Sequence, residues 1–261
     1  MAKKKVWNNL ADVQIELGVA EHRMGMHDAS VVSLQDGLLS YSQACMFSDS
    51  SRGDDLPGLL HDWGVALQTV AEHTEGREAR LRLLDESLSQ LKSSIMFGRC
   101  DPAPMNAVGD ALAAKAELLE GIEASGMWHR AIEEGYKAAK AINSQNVDAL
   151  VGLGEAHMAL GKGAAAVGDA EVAAEHFCSS VEAYRHAVKL PSPLGDFHER
   201  CNVFYNYACA CTLAGEVTEA REAIEGLLRR GGTGIEEIKV DTDLDNLKEE
   251  QWFVDLVNGE H

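Results

Sequence analysis

The most constraining feature of this chain is a recurring pattern of large, small and glycine residues. Leu17-Gly18, Gly25 and Ser30 form one copy. Leu118-Leu119, Gly126 and Ala131 form a second, Leu153-Gly154 and Gly161 a third, and Tyr207-Ala208, Gly215 and Ala220 a fourth. A weaker copy starts at Trp63-Gly64. A small residue on one helix lets a second helix approach closely. A following glycine can end the first helix, because it enters the left-handed region without a Cβ clash. The pattern therefore predicts antiparallel helix pairs joined by glycine turns. Ala220, Ile224, Leu227 and Leu228 keep the 3.6-residue period on one second helix. Val108, Leu112, Leu119 and Ile122 are read as the same period on the first helix of the third pair.

This pattern resembles the tetratricopeptide-repeat (TPR) family, with units of about 34 residues. Leu150-Val151-Gly152-Leu153-Gly154 through Gly161, and Gly126-Met127-Trp128-His129-Arg130-Ala131, carry the resemblance best. It runs over roughly residues 7 to 255. The expected fold is all-α, a right-handed superhelical solenoid of antiparallel helix pairs. The expected layout is a single domain, 1–261, with five repeats at 6–53, 54–101, 102–146, 147–193 and 194–234 and a cap at 235–261. Breakers set these boundaries: the polar loop Ser48 to Asp55, Pro191-Ser192-Pro193 and Gly231 to Gly234. Asp101 and Asn146 are the expected N-caps of the helices that follow them. Taking Gly161 as a turn makes the next interval long, which predicts an insertion within Lys162 to Ala174.

Charge narrows the partner class. The chain has 23 Lys+Arg against 42 Asp+Glu, a net charge of −19. A phosphate backbone needs clustered bases, so nucleic acid is not an expected partner. The longest uncharged run, Cys201 to Gly215, is too short and polar to span a bilayer, so no transmembrane segment is expected. The irregular spacing of six cysteines points to an intracellular reducing compartment. That is the cytoplasm, or an organellar matrix or stroma if a transit peptide was removed.

Motifs for chemistry fail on their spacing. Asp241-x-Asp243-x-Asp245 lacks the glycine and glutamate of a calcium loop, so it reads as a capped acidic turn. Gly161-Lys162 lacks the remaining residues of a phosphate loop. His198 and Cys201, with Cys209 two turns on, are a conceivable metal cluster without a second ligand pair. No cofactor, metal or catalytic residue is expected.

In the TPR family the first helix of each pair lines a ligand groove. The resemblance implies groove positions at Asp12, Ile15, Val19 and His22, then His61, Val65 and Gln68. Ala113, Ala116, Glu120 and Glu123 follow, then Asp148, Val151, Glu155 and Met158, and finally Asn202, Tyr205, Cys209 and Thr212. The acids Glu120, Glu123, Asp148 and Glu155 would repel the C-terminal carboxylate that chaperone-binding members clamp. A protein partner with a basic or apolar segment fits better. The expected function is a non-catalytic interaction scaffold, adaptor or assembly factor. The alternatives are a permanently docked accessory subunit of a large complex and a small metal-dependent enzyme.

Overall fold

The computed structural model describes residues 2–48, 56–98, 100–190, 197–229 and 235–258. For residues 2 and 197–201 it describes the backbone alone. The loop expected at Ser48 to Asp55 and the breakers at Pro191 to Pro193 and Gly231 to Gly234 lie largely outside the described residues. Every described element is helical, and no strand occurs among the described residues. No described helix is long and apolar enough to cross a membrane.

Internal packing divides the chain into two compact units, Met1–Ile142 and Asn143–His261. The first holds three helical hairpins. Helix α1 (Ala2–Arg23) pairs with α2 (His27–Met46), and α3 (Leu56–Glu72) with α4 (Arg77–Phe97). Helix α5 (Pro102–Glu117) pairs with an arm made of α6 (Gly121–Arg130), a π-helical turn (Ala131–Tyr136) and α7 (Lys137–Ile142). Within this unit α2 packs on α3, and α4 on α5.

The second unit pairs α8 (Val147–Ala166) with α9 (Ala170–Lys189), and α10 (Phe197–Leu213) with α11 (Val217–Arg229). It ends in α12 (Ile235–Val240), a 3-10 helix (Thr242–Leu247) and α13 (Gln251–Asn258). The fold class is all-α, a repeat of antiparallel helix pairs.

Two different jobs for glycine build these hairpins. Gly25, Gly76, Gly121, Gly168 and Gly215 have positive φ and stand at the five turns between paired helices. They recur at intervals of 51, 45, 47 and 47 residues, longer than a regular TPR unit. Other glycines let helices touch. A Cβ on Gly154 would lie 2.5 Å from the Tyr184 ring, and one on Gly161 2.5 Å from the Phe177 ring. A serine often locks the crossing. Ser30, Ser87 and Ser180 are buried, and each donates its hydroxyl to the carbonyl of Gly18, Gly64 and Gly154 respectively, at 2.7 Å.

These jobs correct three expectations. Gly161 lies inside α8, so the Lys162 to Ala174 stretch is no insertion but the end of α8, the Gly168 turn and the start of α9. Gly126 lies inside α6; the turn of that hairpin comes five residues earlier, at Gly121. Leu119 and Ile122 therefore leave the first helix, and Ile122 is 92% exposed, while Val108 and Leu112 are buried as expected. The two expected caps form: Asp101 Oδ1 accepts from Ala103 N–H at 3.0 Å, and Asn146 Oδ1 from Ala149 N–H at 2.9 Å.

The C-terminal segment covers one side of the last hairpin. Ile238, Leu244, Leu247, Phe253 and Leu256 are buried in one cluster with Ala208, Cys211, Ala220 and Ile224. Val240 of the same segment is 75% exposed.

Candidate functional site

The second unit holds the groove positions expected on its two first helices, α8 and α10. The 3.6-residue period turns Gly154 and Gly161 of α8 toward α9, while Asp148, Val151, Glu155, Met158 and Lys162 recur along another stripe. Asp148 and Glu155 are exposed; Val151 and Met158 are half-buried against the unit's core. Helix α10 packs beside α8 and presents exposed Asn202 and half-buried Tyr205. Asn206 joins the two helices by donating to Glu155 Oε1 at 3.3 Å.

The chain's own C-terminal segment takes part of this surface, which spacing alone did not reveal. Tyr205 donates to the Asp241 carboxylate, and the buried Cys209 thiol lies 3.7 Å from the same oxygen. Lys162 pairs with Asp243 at 2.5 Å, and Lys248 with Asp245 at 2.5 Å. Asp241 also caps its 3-10 helix by accepting from Asp243 N–H at 2.8 Å. Burial, then the charges of Asp241 and Asp243, hold the Cys209 thiol protonated well above its ordinary range. Burial and the Asp241 carboxylate do the same to the Tyr205 phenol.

Cys209, Asp241 and Asp243 are the one group of three potential metal ligands close together among the described residues. Their atoms are already engaged with Tyr205 and Lys162, so the cluster serves as a tether for the tail. The other conceivable metal pair, His198 and Cys201, falls on side chains outside the described residues.

The remaining groove positions lie in the first unit and have different roles. Asp12 accepts a hydrogen bond from the Tyr41 hydroxyl and so ties α1 to α2. Gln68 donates to the Ala107 carbonyl at 3.0 Å and to Ser87 Oγ at 3.3 Å, linking α3 to α5 and α4. His22 stands edge-on to His27 and His73, with ring centroids 4.8 and 4.7 Å away. Desolvation, then His73 and His27, lower its pKa. The His73 contact joins residues 51 apart in sequence and carries no local signal. Glu120 and Glu123 do not lie on a first helix. Glu120 is the N-cap residue of α6 and Glu123 lies in its first turn, both exposed. Reading Gly126 as the turn displaced them.

Sequence reasoning also missed a cleft of about 470 Å³ between α9, α10 and α11. Arg185, Lys189 and Arg229 line it, facing Glu219 and Glu222, with Val188 and Phe204 on its walls. Arg185 Nη2 pairs with Glu216 at 2.7 Å and with Glu219 at 2.9 Å, and Tyr207 donates to Glu219. Arg185, Tyr207 and Glu219 thus bond to one another and tie α9, α10 and α11 together.

No protein-family model matches the chain, and no curated protein matches it in sequence. Some solved structures match it at low identity. The MamA protein is 13% identical over 89% of this chain and 96% of its own, with a TM-score of 0.45. The TPR-like repeats of a kinesin light chain from Podosopora anserina are 18% identical over 86% and 96%, with a TM-score of 0.45. A thermophilic TPR protein of Thermus thermophilus is 17% identical over 84% and 99%, with a TM-score of 0.34. At this distance no role passes from those proteins to this chain.

Proposed function

We propose that this chain is a non-catalytic protein-interaction scaffold, an adaptor or assembly factor, and that the α8–α10 face of its second unit receives a basic or largely apolar segment of a protein partner. One observation carries the reading. Exposed Asp148 and Glu155 flank half-buried Val151, Met158 and Tyr205, and the base on that stripe, Lys162, is neutralised by Asp243. Such a surface offers apolar contact area inside a negative field. The field speeds encounter with a basic segment and rejects an acidic one. Exposed Asn202 supplies an amide that can bond to a partner's backbone.

The proposed setting is an intracellular reducing compartment. It is supported by the five described cysteines, all free thiols, two of them buried. Burial pushes the Cys211 thiol up to about 12, which keeps it unreactive near neutral pH.

The test is capture of partners from the native source with the wild-type chain and with a double charge reversal, Asp148→Lys with Glu155→Lys. Both residues are exposed, and the Asn206 to Glu155 bond lost with them lies at the surface, so the fold should survive. The reading expects at least a ~10-fold loss of affinity, about 1.4 kcal/mol, and a further loss for the wild type as salt rises. Binding that ignores both changes would refute the acidic face as the docking site. Retention at high salt would favour the second reading, a permanently docked accessory subunit. The exposed Met96 and Phe97 at the end of α4 would suit such a contact.

A further inference from the structure

Helix α1 carries an apolar stripe on the side away from its own core. Val6, Leu10, Val13, Leu17, Ala20 and Met24 follow one another at alternating intervals of four and three residues. All six are exposed: Val6 is 63%, Val13 59% and Met24 66% accessible. Met24 continues the helical register through its N–H bond to the Ala20 carbonyl at 3.1 Å.

The opposite side of α1 is fully used. Gly18 lies against Leu34 of α2, and Ile15 against Gly37. Trp7 and Ile15 pack into the cluster of Ala11, Tyr41, Ala44, Leu59 and Ala66, which includes α3. Single exposed apolar residues are ordinary, but a stripe running the length of a helix is not. The 3.5-residue spacing is that of a helix packing its seam against a like helix.

We propose that this stripe is a homodimer interface in which α1 pairs antiparallel with α1 of a second copy of the chain. Charge selects this occupant and orientation. The chain as a whole is strongly acidic, at −19, yet α1 carries four bases (Lys3, Lys4, Lys5, Arg23) against three acids (Asp12, Glu16, Glu21). Two copies therefore meet here with little of the repulsion that their other surfaces would impose. The three lysines crowd the N-terminal end, whereas Glu16 and Glu21 lie toward the other. Parallel pairing would oppose lysines to lysines. Antiparallel pairing centred on Val13 sets Lys5 opposite Glu21 of the partner helix and leaves one like-charge approach, Lys3 to Arg23, at the helix ends.

A twofold contact must also be self-complementary. The stripe is: with Val13 near the axis, Val6 lies opposite Ala20 of the second copy, and Leu10 opposite its Leu17. The helix gives a seam about 33 Å long. This inference is independent of the α8–α10 reading, which concerns the other unit.

Sedimentation equilibrium on the full chain tests it. The expected mass is twice 28.2 kDa at about 100 µM, falling to 28.2 kDa for Leu10→Glu with Leu17→Glu. Both leucines are exposed, so helical content and melting of the monomeric variant should stay close to those of the dissociated wild type. Orientation is read from cross-linking in a background without other exposed cysteines. A Val6→Cys chain mixed with an Ala20→Cys chain should form a disulfide-linked heterodimer, while Val6→Cys alone should not link. A wild type that remains monomeric at this concentration overturns the proposal, as does a dimer indifferent to the glutamates. Efficient linking of Val6→Cys to itself overturns the antiparallel arrangement.

Discussion

Gly135→Ala and Gly126→Ala are the same substitution in the same helical arm, and the structure gives them opposite signs. Gly135 lies in the π-helical turn, buried where the arm crosses α5. A Cβ there would come closer to the Gly109 Cα and N atoms than the 3.0 Å that Cβ atoms keep. Those neighbours are backbone, so no side-chain rotation relieves the clash, and α5 must move from the arm. Overpacking costs about 1–3 kcal/mol where side chains can yield; this case belongs at the upper end, about 3 kcal/mol. Gly126 has helical backbone and no atom within 4 Å of a built Cβ. Alanine there gains helix propensity, about 0.8–1 kcal/mol. At roughly 2–4 °C per kcal/mol, Tm should fall by about 6–12 °C for Gly135→Ala and rise by about 2–4 °C for Gly126→Ala. Tryptophan fluorescence suits the assay, since Trp7, Trp63 and Trp128 lie in the first unit and only Trp252 in the second. A Gly135→Ala protein as stable as wild type would refute the close crossing.

Three further outcomes can be checked. Ser180→Ala removes the buried bond to the Gly154 carbonyl; it should cost about 1 kcal/mol in urea denaturation, since that carbonyl sits inside α8. Tyr205→Phe cuts the tie to Asp241; hydrogen exchange should quicken across residues 235–258 while α1 to α4 stay unchanged. Glu134 has its carboxyl lowered to about 2, chiefly by the Arg130 hydrogen bond and then by Lys92. Its folded pKa lies below the unfolded one, so its contribution is present above about pH 4.5 and is lost between 4.5 and 2. Solvent screening keeps that contribution below about 1 kcal/mol, and Glu134→Gln should flatten the stability profile over that window.

Local chemistry was legible in the sequence and longer-range geometry was not. Asp101 and Asn146 cap their helices because each bond spans two or three residues. Gly25 and Gly215 were correctly placed as turns, whereas Gly126 and Gly161 were not. A glycine serves either a positive φ or a close approach, and its own letter does not say which. Gly161 is needed by Phe177, sixteen residues away on another helix. Taking Gly126 as a turn put Glu120 and Glu123 in the groove, and taking Gly161 as one created an insertion that does not exist. Asp148, Glu155, Met158, Asn202 and Tyr205 follow helical spacing and do share one unit. The docking of Asp241 and Asp243 onto Tyr205 and Lys162 joins segments up to 81 residues apart, which no local pattern encodes.

The most direct test of the scaffold reading is hydrogen exchange on the full chain, free and bound to a captured partner. Protection concentrated on residues 148–162 of α8 and 202–209 of α10 is the predicted result. Protection confined to the α9–α11 cleft, or none on α8 and α10 at saturation, would contradict it.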